Sequence, residues 1–238
     1  MGEVQVPGRH GQMPGYLALP TGDGVRHPGV IVLPEAFGLN DDIRSHADRL
    51  AAEGYVVLAP DLYHWASKMR CIASTFASLA RGSGRAFDEI ESAREWVAGH
   101  ERSTGRVGVI GFCMGGGFAL ACAPMGGFAA AAANYGQVPK DAARQLARAC
   151  PIVGSYGAKD WMMPGHAARL EEALTAAGIP HDVKEYPDAA HSFLNHHHGA
   201  AGVADRILRT SYRPAAAEDA WARILAFFAD HLRGPDGA

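Results

Sequence analysis

The run Val30-Ile31-Val32-Leu33 is apolar at every position and is closed off by Pro28 and Pro34. A strand without polar alternation must have both faces buried, so layers of structure have to lie above and below its sheet. The signature returns at Tyr55-Val56-Val57-Leu58-Ala59, stopped by Pro60, and at Val107-Gly108-Val109-Ile110. Longer segments with helical spacing lie between these runs. Residues 42–53 carry Ile43, Ala47 and Leu50 and end at Gly54, and residues 85–98 carry Phe87, Ile90, Ala93 and Val97. Residues 114–123 read as a helix of small side chains.

The alternation continues to the end of the chain. Residues 129–135, 151–156 and 181–186 read as strands, and 165–177 as a helix. A long helix over 215–232 places Trp221, Ile224, Leu225 and Phe228 on one face. Near the start, Val4-Gln5-Val6 and Tyr16-Leu17-Ala18-Leu19 suit an antiparallel edge hairpin. Strands alternating with helices imply an α/β fold, a mostly parallel sheet with helices on both faces. No repeat or linker divides residues 1–238, which are expected to form one domain.

Composition narrows the function classes. The net charge is −3, and no Lys/Arg cluster offers nucleic acid a basic field. No stretch reaches the roughly 18 apolar residues of a membrane span, and residues 1–7 lack a signal-peptide pattern. Val6 stands where myristoylation at Gly2 would need Ser or Thr. Four cysteines without a CxxC pair suggest no disulfide framework. The expectation is a cytoplasmic protein without cofactor or metal, a monomer or small homo-oligomer that meets a small molecule rather than nucleic acid or membrane.

The most informative segment for chemistry is Gly111-Phe112-Cys113-Met114-Gly115, where a strand turns sharply into a helix. G-x-C-x-G in that context is a nucleophile elbow with Cys in place of the usual Ser. Glycines at both ends fit a turn too tight for a Cβ. The helix N-terminus beyond favours negative charge at Cys113, and the Met114 N–H can donate to the oxyanion of a tetrahedral intermediate. The alternative is a glycine-rich turn carrying an inert thiol.

Elbow enzymes place an acid and then a base downstream. Asp160 follows the strand over 151–156, and His191 follows the strand over 181–186, both at strand carboxyl ends where ligand-facing residues collect. In these roles His191 carries the proton and Asp160 fixes its tautomer. Alone, either residue would read as a turn or surface side chain; their shared placement and order favour a site.

With these residues in hand, the chain resembles the dienelactone hydrolase family of α/β hydrolases. The landmarks are Leu33-Pro34-Glu35-Ala36-Phe37-Gly38-Leu39-Asn40, Ala59-Pro60-Asp61-Leu62-Tyr63, Gly111-Phe112-Cys113-Met114-Gly115-Gly116, Gly157-Ala158-Lys159-Asp160 and Ala190-His191-Ser192-Phe193. The resemblance implies an α/β-hydrolase fold and cleavage of a lactone or small ester through a thioacyl intermediate. It also implies that Glu35 lies beside the thiol and assists thiolate formation, and that the Ala36 N–H is the second oxyanion donor. Two departures bear on the substrate. Asn195 occupies the place of one of the family's two carboxylate-binding arginines, and the nearest counterpart of the other is Arg70, with Arg81 and Arg85 as alternatives. Loss of one bidentate clamp weakens selection for an anionic lactone.

Phe37, Tyr63, Trp65 and Trp161 fall on loops near these landmarks, where they suit either a pocket wall or core packing. The run His196-His197-His198 invites a metal reading, but consecutive side chains do not converge on one ion and no Cys or carboxylate flanks them at ligand spacing. Three other functions compete: a general carboxylesterase, a catalytically silent ligand binder on the same fold, and a redox sensor at Cys113. The last lacks a resolving cysteine placed in sequence.

Overall fold

The computed structural model describes residues 1–22, 24–196 and 212–233. Eight strands form one sheet: β1 (Gly2–Gly8), β2 (Gly11–Ala18), β3 (His27–Leu33), β4 (Val56–Pro60), β5 (Ser103–Phe112), β6 (Ala130–Asn134), β7 (Ile152–Gly157) and β8 (His181–Tyr186). Their order is β1-β2-β4-β3-β5-β6-β7-β8. Pairing is parallel from β4 through β8, while β2 runs antiparallel to both β1 and β4. The opening hairpin is longer than the apolar pattern implies. Its strands run through Pro7 and Pro14 to a tight turn between Gly8 and Gly11. Pro7 lies on the edge strand β1, where one side of the ladder needs no donor, and Pro14 lies in β2 just before its ladder with β4 begins at Gly15.

Helices cover both faces. Val30 and Val32 of β3 pack into a cluster with α1 (Asp41–Ala52) and the last helix described, α7 (Pro214–Leu232), through Ile43, Leu50, Trp221 and Phe228. The alternating residues Ile31 and Leu33 face the other cluster, which contains Phe87 and Ile90 of α3 (Arg85–Ala98), Phe118 of α4 (Met114–Cys122) and Leu170 of α6 (His166–Ala177). Two helices go beyond the sequence expectation: α2 (Lys68–Arg81) and the short α5 (Ala142–Gln145). The inner face of α2 buries the polar Thr75 and Ser78 beside Cys71, with Ile72 and Leu79 packed against the core, while Met69 and Phe76 are exposed, so apolar residues fall on both of its sides.

After β3 the chain moves outward to β4, then returns to lay β5 on the other side of β3. Sheet order therefore reverses between β3 and β5, and the loops at their carboxyl ends diverge to leave a crevice. Leu33 pairs with Gly111 at that end, so Glu35 and Cys113 both emerge there.

Candidate active site

Cys113 sits between β5 and α4 with φ 53° and ψ −113°, outside the comfortable range of an L residue. Close packing holds it there. A Cβ on Gly111 would run into the Gly115 carbonyl, and one on Gly115 would run into the Leu33 carbonyl at the end of β3. The Cys113 N–H donates to the Asn134 carbonyl at 3.0 Å, and its own carbonyl accepts from the Gly117 N–H at 3.1 Å. The thiol is half-buried at the amino end of α4.

Asp160 and His191 come together behind it. His191 Nδ1 lies 2.6 Å from Asp160 Oδ2, with the residues only 3% and 4% exposed respectively. Asp160 Oδ1 accepts from the Met162 N–H at 2.9 Å, which sets the carboxylate plane. The two loops are laced by the Lys159 N–H donating to the Ala189 carbonyl at 2.9 Å, and Gly157 packs against that carbonyl with no room for a Cβ. His191 Nε2 is buried without a partner at full hydrogen-bond geometry, and the group it interacts with is the Cys113 thiol. Burial by itself would discharge the ring, but Asp160 and the Cys113 sulfur overcome it and raise His191 to about 10. A carboxylate, an imidazole and a thiol in this order can pass a proton and sustain a nucleophilic sulfur.

Glu35 is buried beside this group and accepts a 2.9 Å hydrogen bond from the Ser192 hydroxyl. Ser192 has φ 59°, so the residue after His191 is held in strained backbone as well. The Gly38 N–H donates to the Glu35 carbonyl at 3.0 Å, closing a tight turn that carries Ala36 and Phe37 over the crevice. Met114 follows Cys113 directly, its side chain buried and its sulfur accepting from the Tyr63 hydroxyl at 3.5 Å.

The dienelactone hydrolase family model matches residues 13–232. The chain belongs to the dienelactone hydrolase family. A Yersinia pestis protein bearing a carboxymethylenebutenolidase name is 30% identical, over 97% of this chain and 88% of its own length. A Bradyrhizobium protein named for 2-oxo-3-(5-oxofuran-2-ylidene)propanoate lactonase activity is 28% identical, over 92% of this chain and 90% of its own. The crystal structure of a Klebsiella pneumoniae protein assigned to the dienelactone hydrolases superposes with a TM-score of 0.78 at 30% identity, covering 96% of this chain and 97% of that one. The chain is thus a hydrolase of the dienelactone hydrolase type on an α/β-hydrolase fold.

Other residues marked from the sequence lie around this dienelactone hydrolase site in different settings. Phe37 and Trp161 are largely exposed on the loops after β3 and β7, whereas Tyr63 is buried. Trp65 is half-buried with the Arg85 guanidinium over its ring at 4.7 Å, and Arg85 is also paired with the buried Glu89 at 2.7 Å. Arg70 is exposed in the first turn of α2. Asn195 is buried, and its Oδ1 accepts from the Tyr135 hydroxyl at 2.9 Å and from His46 Nε2 at 3.0 Å. The His196 ring lies 3.5 Å from that of Tyr212; His197 and His198 fall outside the described residues. Among the described residues, no helix is long and apolar enough to cross a membrane.

The structure adds Ser192, Asn134, Tyr135 and His46 to the neighbourhood of the site. Asn134 Nδ2 donates to the Gly111 carbonyl at 3.2 Å, which braces the elbow from β6. A polar Asn ending the Ala-rich β6 is the single sequence signal for it, because burial of an amide requires a partner. His46 carries no such signal; it occupies a core position of an ordinary amphipathic helix.

Proposed function

We propose that this chain hydrolyses a lactone or small carboxylic ester through a thioester on Cys113, with His191 as the proton carrier and Asp160 as its orienter. One observation carries the reading: a cysteine held at positive φ where sheet order reverses, facing a buried His–Asp pair closed at 2.6 Å. His191 takes the thiol proton, and Glu35, held at the crevice by Ser192, assists thiolate formation. The sulfur then bonds to the carbonyl carbon while the C=O π electrons move to oxygen, which the Ala36 and Met114 N–H groups receive. Collapse breaks the C–O bond, and the departing oxygen takes the proton from His191. Water attacks the thioester and loses a proton to His191, the C–S bond breaks, and acid and free thiol are released.

The Bradyrhizobium relative's name supports a small unsaturated lactone as substrate. On this reading Phe37 and Trp161 wall the pocket, Asn195 borders it, and Arg70 meets the substrate carboxylate. A general ester preference is the second reading. It is favoured by Asn195, which stands where the family resemblance expects a cation and whose oxygen already carries two internal hydrogen bonds.

Replacing the nucleophile tests the mechanism. Cys113→Ala is expected to abolish turnover of a dienelactone and of p-nitrophenyl acetate, a loss of about 10⁴-fold or more, with an unchanged melting transition. Mass spectrometry of the wild type should show an acyl adduct on Cys113. Undiminished turnover in the variant overturns the proposal. Comparing the dienelactone with uncharged esters decides between the two substrate readings.

A further inference from the structure

Among the described residues, the non-glycine positions with positive φ are Cys113, Ser192 and Tyr135, the last at 41°. The proposed reaction accounts for the first two and leaves Tyr135 unexplained. A bulky aromatic residue persists in this region only where its surroundings over-determine it, and such positions cluster at functional sites.

Those surroundings are well defined. Tyr135 follows Asn134 at the end of β6, and its N–H donates to the Ser155 carbonyl at 2.8 Å. Its ring is fully buried, 5.1 Å from the His191 imidazole centroid at an interplanar angle of 59° and 5.6 Å from that of Phe193. Its hydroxyl donates to Asn195 Oδ1, and the same oxygen accepts from His46 Nε2. Burial pushes His46 below its ordinary value, so the ring is neutral. The His46 ring is also stacked on Phe112, the neighbour of Cys113, at 4.4 Å. A hydrogen-bonded chain thus runs from α1 through Asn195 to Tyr135, whose ring packs at a tilt against that of His191.

We infer that Tyr135 is a positioning residue for His191: anchored by Asn195 and His46, its ring fixes the imidazole plane so that Nε2 addresses the Cys113 sulfur. The reason is geometric. The bond to Asp160 restrains the imidazole at Nδ1 but leaves it free to tilt about that contact. A ring packed at a tilt against the imidazole removes this freedom, provided the packing ring is itself fixed at its far end. A small misplacement at a reacting centre costs far more rate than stability. The inference rests on the reading of His191 as the base.

Tyr135→Phe keeps the ring and removes its anchor. We expect kcat to fall about tenfold with KM within about twofold, and the melting transition to be nearly unchanged. The downfield proton resonance of the His191 Nδ1–H bond should shift or broaden, and this readout needs no turnover. His46→Leu should repeat both effects, whereas His46→Gln, whose amide can still donate to Asn195, should restore most of kcat. Wild-type kcat and an unmoved resonance in Tyr135→Phe overturn the inference. So does a lowered melting point in Tyr135→Phe and His46→Leu with the kcat of the folded fraction unchanged, which marks the chain as structural. Turnover retained in His191→Gln instead defeats the base assignment itself, while the resonance in Tyr135→Phe still decides whether the imidazole is being positioned.

Discussion

Cys113 and His191 face one another, yet they are held in opposite ways. The backbone holds the thiol: Gly111 and Gly115 let strand, helix and β3 close to contact, and the Asn134 carbonyl takes the Cys113 N–H. Side chains brought from far along the chain hold the imidazole, with Asp160 on Nδ1 and Tyr135 against the ring. Shape made by backbone contact is all-or-none, because a carbonyl cannot step aside for an added carbon. A side-chain network can be loosened one bond at a time, so its failure shows first in rate.

This difference can be tested from either side. The largest effect belongs to Gly111→Ala, whose Cβ collides with the Gly115 carbonyl. It should lose about 3 kcal/mol or more, or fail to yield soluble protein, as read by denaturant unfolding. Gly117→Ala sharpens the point: its Cβ meets the end of the flexible Leu79 side chain at 3.0 Å and the Gln137 backbone at an ordinary 3.7 Å. That change should cost less than about 1 kcal/mol, since alanine is also the better helix former. If the two variants proved equally stable, steric shaping of the elbow would be the wrong account.

Asp160→Asn comes next and acts on the other side. It should lower kcat by about 10³–10⁴-fold while circular dichroism shows a folded protein, because the amide holds the ring without supporting its charge. Loss of the fold rather than of the rate would break the contrast. The smallest and fully reversible effect is that of pH. His191 is raised above its ordinary value, so the imidazolium persists through neutral pH and is lost as pH rises through about 10. The rate with an ester of a poor leaving group should therefore fall on the alkaline side near that pH. A profile flat through this range would show that leaving-group protonation does not depend on His191.

Much of the architecture was open to a reader of the chain. The buried strands β3, β4 and β5 carry apolar residues at successive positions, and α1, α3 and α7 carry apolar stripes, because each packs against one continuous layer. Helix α2 was hidden, since its inner face is partly polar and its exposed face carries Met69 and Phe76. Within the site, Cys113, Asp160 and His191 are legible because each follows a strand and the glycines advertise the turn. Tyr135 and His46 are not. Their roles depend on which side chains meet across the sheet and α1, and local pattern carries no record of that.

By itself the sequence determined the layered α/β architecture, the sharp turn at Cys113 and membership of a hydrolase family, all of which follow from short-range periodicity, glycine placement and ordered motifs. Only the tertiary structure decided how Asp160 closes on His191, that Ser192 holds Glu35, and that Asn195 is tied to His46 and Tyr135. The physical reason is distance along the chain. Backbone shape is set by a residue and its near neighbours, whereas the orientation of a buried polar side chain is set by partners that only folding brings within hydrogen-bond reach.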